Sequence, residues 1–158
     1  MKFMLPLIAV SDMATSRRFY EEILKQKVTL DLGDNVTFED KFALQANYAH
    51  LVDKAIQISQ KANDHELYFE EEDFPKFMTH LKNCHDVQYV HGPKEYPWGQ
   101  HVVRFYDPDF HIIEVGESMP SVFKRFLQQG LTIADVAKRT MHPVEYIEQF
   151  LDCVAKTE

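Results

Sequence analysis

The sequence predicts an α+β fold in which paired βαβββ modules form a curved, cup-like mixed β-sheet, followed by a C-terminal helical tail. Three observations predict it. The order strand, helix, three strands occurs twice, with a period of about 60 residues. The helix in each module keeps its apolar residues on one face, as a helix lying against a sheet must. Beyond Met119 the strand-type patterning stops and helical spacing takes over.

Residues 3–10 are apolar and rich in large aliphatics, and Ser11-Asp12 bounds them, so they read as a buried strand running into a helix cap. Phe19, Tyr20, Ile23 and Leu24 recur at helical spacing between Ala14 and Leu24, opposite Arg17, Arg18, Glu21 and Glu22. Short strands are expected at 28–32 and 36–39, joined by the turn residues Gly33-Asp34-Asn35, and a third at 42–45. Residues 46–58 can form a helix, and 57–64 is a polar linker. The pattern then restarts with a strand at 66–70. A helix follows at 73–81, with Phe74, Phe77, Met78 and Leu81 on one face, Asp73 as N-cap and Pro75 in the first turn. Three more strands are expected at 87–90, 102–106 and 112–115. The expected division is a domain over 1–118, with modules of about 1–60 and 61–118, and a helical extension over 119–158.

Composition narrows the function classes. Hydrophobic residues make up 45% and charged residues 27% of 158, the profile of a folded chain. No apolar run approaches the roughly 20 residues of a membrane span, and MKFMLPLIAV lacks the charge and cleavage pattern of a signal peptide. A net charge of −8 repels nucleic acid. Cys84 and Cys153 have no metal-type spacing, and reduced thiols in a cytoplasmic protein are expected.

A set of ordered fragments carries a resemblance. In the second half these are Glu66-Leu67-Tyr68-Phe69-Glu70, Asp73-Phe74, Tyr96-Pro97-Trp98-Gly99-Gln100, Val103-Arg104-Phe105-Tyr106-Asp107-Pro108-Asp109 and Ile112-Ile113-Glu114-Val115. In the first half, Val10-Ser11-Asp12 and Ser16-Arg17-Arg18-Phe19-Tyr20 match as well. Over residues 3–117 the chain resembles the glyoxalase/bleomycin resistance protein/dioxygenase (vicinal oxygen chelate) superfamily. The resemblance implies a small-molecule ligand in the concave face of the sheet, a homodimer, and either lyase- or dioxygenase-like catalysis or drug and metabolite sequestration without catalysis. One departure falls in the signature turn: the family has glycine after Asp-Pro-Asp, and here Phe110 stands there, which implies an altered or strained turn.

Family enzymes hold a divalent metal through His, Glu or Gln side chains. Carried over by position, the first-strand ligand falls at Leu5, which cannot bind a metal. Glu66 and Glu114 fall at two others, and Gln45 is the nearest capable side chain for the remaining one. The set is incomplete, so no cofactor is favoured over a metal at Glu66 and Glu114 with His65, His101 or a water.

Strand alternation puts Glu66, Tyr68 and Glu70 on one face and Leu67 and Phe69 on the other. Gln100, Val102 and Arg104 share a face, as do Ile112 and Glu114. Glu66, Tyr68, Trp98, Gln100, Arg104 and Gln45 are the candidate ligand-binding residues, and Glu114 the candidate general base. The competing reading pairs Arg104 with Glu114 or Glu66 as a buried ion pair. His91 and His101 can reach the rim, while His80 and His85 flank a helix end.

In the tail, helices are expected at 122–128, 133–139 and 144–154, with Thr132 and Asp135 close to a capping box. The last two have the rhythm of a helix-turn-helix. The would-be recognition helix carries Glu145, Glu148 and Asp152, which face phosphates badly. Packing through Phe123, Phe126, Leu127, Ile147, Phe150 and Leu151 is the expected role.

Overall fold

The computed structural model describes residues 1–155, with side chains as far as Leu151, so Cys153 lies outside the described side chains. Two four-stranded sheets and six helices are present among the described residues. The chain forms two compact units: 1–66 with 84–88 and 106–112, and 67–83 with 89–105 and 113 onward.

In the first unit the elements are β1 (Leu7–Ala9), α1 (Met13–Glu22), β2 (Val28–Asp31), β3 (Asn35–Phe38), β4 (Ala43–Gln45) and the single turn α2 (Tyr48–Leu51). The sheet order is β1-β4-β3-β2, with β1 parallel to β4 and the other pairs antiparallel. The opening strand is shorter than the sequence reading. Pro6 accepts from the Ala43 amide but has no N–H to continue the ladder, and Phe3 and Met4 before it are 81% and 65% exposed. The helix expected within 46–58 shrinks to α2, because Val52 leaves helical geometry and Asp53 takes a left-handed φ of 52°, which ends the helix after one turn. Asp12 caps α1 as expected, accepting from the Thr15 amide at 2.7 Å. On the buried side of α1, Tyr20 packs against both Phe38 and Phe42, whose rings stack on each other at 4.7 Å.

The Asp-Pro-Asp turn belongs to this unit and locks onto α1. Asp107 is 3% exposed, and its Oδ1 accepts from the amides of Asp109 and His111 at 3.0 and 2.8 Å. Its Oδ2 accepts from the Tyr20 hydroxyl at 3.0 Å and pairs with His111 Nδ1 at 2.9 Å. Asp109 accepts from the Ser11 amide and the Ser16 hydroxyl at 2.8 and 3.0 Å. Phe110 keeps a positive φ of 66°, so the turn retains the shape a glycine would give and an aromatic residue bears the strain. Lys61 Nζ lies 4.8 Å from its ring centre.

Burial alone would lower the His111 pKa, but its bond to Asp107 and the charges of Asp107 and Asp109 raise it overall above 6.5. Folded His111 therefore holds its proton more tightly than the unfolded chain does. The resulting stability is fully present below the unfolded value and is lost as pH rises through the folded one. The wild-type melting temperature is expected to fall as pH rises from about 6 upward, and His111→Asn to remove that slope. Parallel melting curves for the two proteins across this range would refute it.

The second unit contains β5 (Glu66–Glu71, joined from Leu67), α3 (Phe74–Asn83), β6 (Tyr89–Glu95), β7 (His101–Tyr106), β8 (Ile112–Glu117), α4 (Met119–Gln128), α5 (Ile133–Thr140) and α6 (Val144–Ala155). The sheet order is β5-β8-β7-β6. The four expected residues of α3 are its buried ones. The strand expected to stop at Val90 runs on through Gly92-Pro93 to Glu95. It lies at the sheet edge, and its pairing with β7 shifts register twice, which tolerates a proline without an N–H. In the tail, Thr132 and Asp135 complete a capping box, and Met119, Val122, Phe123, Phe126, Val136 and Ile147 form a core. Leu127, Phe150 and Leu151 pack on it, so the expected apolar stripe serves packing.

Candidate functional site

Alternation along β5 follows the sequence reading, with Glu66, Tyr68 and Glu70 exposed and Leu67 and Phe69 half-buried. Within the second unit this polar face meets a hydrogen-bonded chain. The Trp98 indole N–H donates to Gln100 Oε1 at 2.9 Å. Gln100 Nε2 donates to the Tyr68 hydroxyl and to the Glu117 carbonyl, both at 2.9 Å. Tyr68 in turn donates to Glu70 Oε1 at 2.7 Å. Gln100 is 5% exposed and has three partners, so its orientation is fixed. Burial, and then the bond to Glu70, push the Tyr68 hydroxyl up to about 12, against a smaller pull from Gln100. It remains a protonated donor through the ordinary pH range.

Gly116 makes this crossing possible. A Cβ there would lie 2.6 Å from Gln100 Nε2 and 3.2 Å from the Tyr68 ring. A lone glycine inside the β8 pattern is the signal in the sequence for such a close approach.

Arg104 lies on β7 opposite His91 on β6. One end of its guanidinium forms an ion pair with Glu114 on β8, where the side chains are 21% and 10% exposed. Its Nη1 donates to the Tyr96 hydroxyl and, at 3.2 Å, to His91 Nε2. Since that nitrogen accepts, the ring proton sits on Nδ1 and donates to the Gly92 carbonyl at 2.7 Å. Tyr96 also stacks on Trp98, with ring centres 4.6 Å apart. The pairing weighed from the sequence is therefore present with Glu114, while Tyr96 and His91 join it as residues that alternation alone did not connect.

The remaining candidates have other surroundings. Gln45 is buried in the first unit, accepting from Asn35 at 3.0 Å and donating to the Ala46 carbonyl at 2.7 Å. Glu66 is exposed at the start of β5. Trp98 is half-buried and packs partly against the tail core. His65 bonds Asp64, and His101 bonds Glu117, each at an imidazole nitrogen.

A divalent metal of the kind found in the superfamily does not fit these residues. Leu5 offers no donor, and the Glu114 carboxylate is engaged by a guanidinium. Among the described residues no group of three His, Cys, Asp or Glu side chains is arranged to hold a metal ion. The chemistry on this face is that of amide, phenol, guanidinium and carboxylate groups. It suits a small molecule bearing oxygen atoms that both accept and donate hydrogen bonds.

Comparison with known proteins agrees with this architecture. A family model described as a glyoxalase-like domain matches residues 3–120. A crystal structure of a protein of unknown function from Agrobacterium tumefaciens str. C58 is 36% identical. It matches over 75% of this chain and 94% of its own, with a TM-score of 0.65. A glyoxalase-related enzyme from Fulvimarina pelagi is 19% identical, over 75% of this chain and 90% of its own, with a TM-score of 0.61. Lactoylglutathione lyase from Agrobacterium tumefaciens is 17% identical, over 75% and 95%, with a TM-score of 0.56. At these last two identities the likeness is one of fold. No curated protein matches the sequence. A match over three-quarters of the chain, on two strand–helix–three-strand modules, establishes that this chain belongs to the glyoxalase-like family.

Proposed function

We propose that this chain is a metal-independent small-molecule-binding member of its family. An oxygen-bearing ligand sits on the polar face formed by Tyr68, Gln100, Arg104 and Glu114. The observation that carries this reading is the ion pair between Arg104 and Glu114. At the last-strand position where family enzymes place a metal-binding acid, the carboxylate here is already neutralised by a cation from the neighbouring strand. The same pairing occupies the Glu114 carboxylate with a guanidinium, in place of a proton to be abstracted. Sequestration is therefore favoured over chemistry at Glu114.

One observation keeps catalysis as a second reading. The Tyr96 hydroxyl lies 3.4 Å from His91 Nε2, a phenol–imidazole contact that can pass a proton to or from a bound oxygen atom. A homodimer, a cytoplasmic location and the division at residue 118 belong to the same proposal. The exposed Met1, Phe3 and Met4 before the edge strand β1 support self-association.

Thermal unfolding tests the proposal. Neither EDTA nor added Zn²⁺, Ni²⁺ or Mn²⁺ is expected to move the melting temperature. Members of a panel of hydroxy acids, diols and thiol conjugates are expected to raise it. A ligand at 100 times its Kd adds about 2.7 kcal/mol to stability. Arg104→Met is expected to abolish that gain. A metal-induced rise that disappears in Glu114→Gln, or no rise with any panel member, would overturn the reading.

A further inference from the structure

The family match ends at residue 120, yet the helices that follow do more than pack on one another. Two consecutive residues of α4 reach the loop that carries Trp98 and Gln100. Arg125 makes a fork: its Nε donates to Glu117 Oε1 at 3.0 Å and its Nη2 to Glu117 Oε2 at 2.8 Å. The same Nη2 donates to the Gly99 carbonyl at 2.5 Å. Burial alone would raise the Glu117 pKa, but the bonds from Arg125 and His101 hold it below the usual carboxylate range. The fork therefore persists as a charged pair at neutral pH. Phe126 covers Gly99 so closely that a Cβ on that residue would lie 2.4 Å from two carbons of its ring, and Gly99 has a φ of +87°. The loop closes on itself through the Gly99 amide to the Tyr96 carbonyl and the Tyr96 amide to the Gln100 carbonyl, at 2.8 and 2.9 Å.

We infer that the C-terminal helices brace the ligand-binding face, with Arg125 and Phe126 as positioning residues for Trp98 and Gln100. This rests on the proposed role of Gln100 and Tyr68 in ligand binding. The bonded path runs from Arg125 through Glu117 and Gly99 to the loop. From there it passes along Trp98, Gln100 and Tyr68 to Glu70. Every link is a direct hydrogen bond or a step along the backbone. Arg139 of α5 adds a second tie to the same sheet, donating to Glu95 Oε1 at 3.2 Å. The acidic α6, which suits DNA poorly, then needs no nucleic-acid role to explain the extension. Its Ile147 lies in the core on which α4 rests.

The chain has one tryptophan, so its fluorescence reports on this loop alone. In the full-length protein, Arg125→Ala is expected to raise acrylamide quenching of Trp98 on the order of twofold, as a locally opened segment does. Arg125→Lys is expected to fall between the two, since an ammonium keeps the charge but not the fork. Val36→Ala, a buried change in the first unit, is expected to lower the melting temperature without altering quenching. Should Arg125→Ala fail to fold, Phe126→Leu and hydrogen exchange at the indole N–H supply the same reading, with faster exchange expected. Quenching and exchange equal to wild type in the folded variants would overturn the brace. The two proposals fail separately. An unresponsive ligand panel sinks the binding reading while leaving the Trp98 result intact, and an unchanged Trp98 sinks the brace whatever the panel binds.

Discussion

Glu114→Leu is expected to destabilise the protein by about 3–5 kcal/mol, because it removes the carboxylate partner from an ion pair that is largely buried. Arg104→Met is expected to cost a similar amount by stranding the carboxylate, which is 10% exposed. The double variant removes both charges together and is expected to recover most of the loss, since apolar side chains of similar volume avoid the desolvation penalty altogether. Urea unfolding of the four proteins in a double-mutant cycle measures the coupling. If either single variant stays within about 1 kcal/mol of wild type, the pair is behaving as a surface salt bridge. The guanidinium is then no buried substitute for a metal ion at Glu114. The cycle also bears on ligand binding. A double variant that is stable yet unresponsive to the ligand panel separates the role of the pair in the fold from its role in recognition.

Asp107→Ala is expected to be the most damaging single change in the first unit. It leaves the fully buried Tyr20 hydroxyl, two backbone amides and the His111 ring without their acceptor. Each buried donor left unsatisfied costs about 1–3 kcal/mol, so a loss of more than about 4 kcal/mol is expected in total. Tyr20→Phe removes one donor and keeps the ring packing against Phe38 and Phe42, and is expected to cost about 1 kcal/mol. Asp107→Asn should fall between them, because it keeps an acceptor for the two amides. Chemical unfolding checks the order. If Asp107→Ala proves no worse than Tyr20→Phe, the turn is not the anchor that its hydrogen bonds describe. The Asp-Pro-Asp sequence would then be a local preference of the hairpin alone.

The elements that were legible in the sequence are those whose signals are local. The buried face of α3 and the Asp12 cap follow from spacing over one or two turns. The Thr132–Asp135 box does as well. Alternation correctly gave the two faces of β5, because a strand's period leaves no freedom once one residue is placed. Boundaries failed where the deciding partner was distant. Pro6 ends β1 because of its pairing with β4, and Pro93 is tolerated in β6 because that strand lies at an edge. The candidate site was legible only as a set of faces. Period two puts Gln100 and Arg104 on one side of the sheet, but register alone decides that Arg104 sits opposite His91. Nor does strand patterning foresee that residues of α4 reach the loop before β7, since nothing in the spacing of Arg125 and Phe126 distinguishes them from ordinary helix residues.

The ties between the Asp-Pro-Asp turn and α1 also impose an order on folding. The bond from the Ser11 amide to Asp109 closes a separation of 98 residues, and that from Tyr20 to Asp107 one of 87. The tail core, by contrast, joins buried residues that all fall between Met119 and Ile147. Closing long loops costs entropy that short-range contacts avoid, so local helices form quickly and distant pairings form late. During synthesis the first helix therefore emerges with its buried tyrosine and serine unpartnered. It must wait until more than half of the chain has followed before its acceptors exist. The first unit is thus completed only when residues 106–112 join it, and until then the buried side of α1 lacks the polar partners that anchor it.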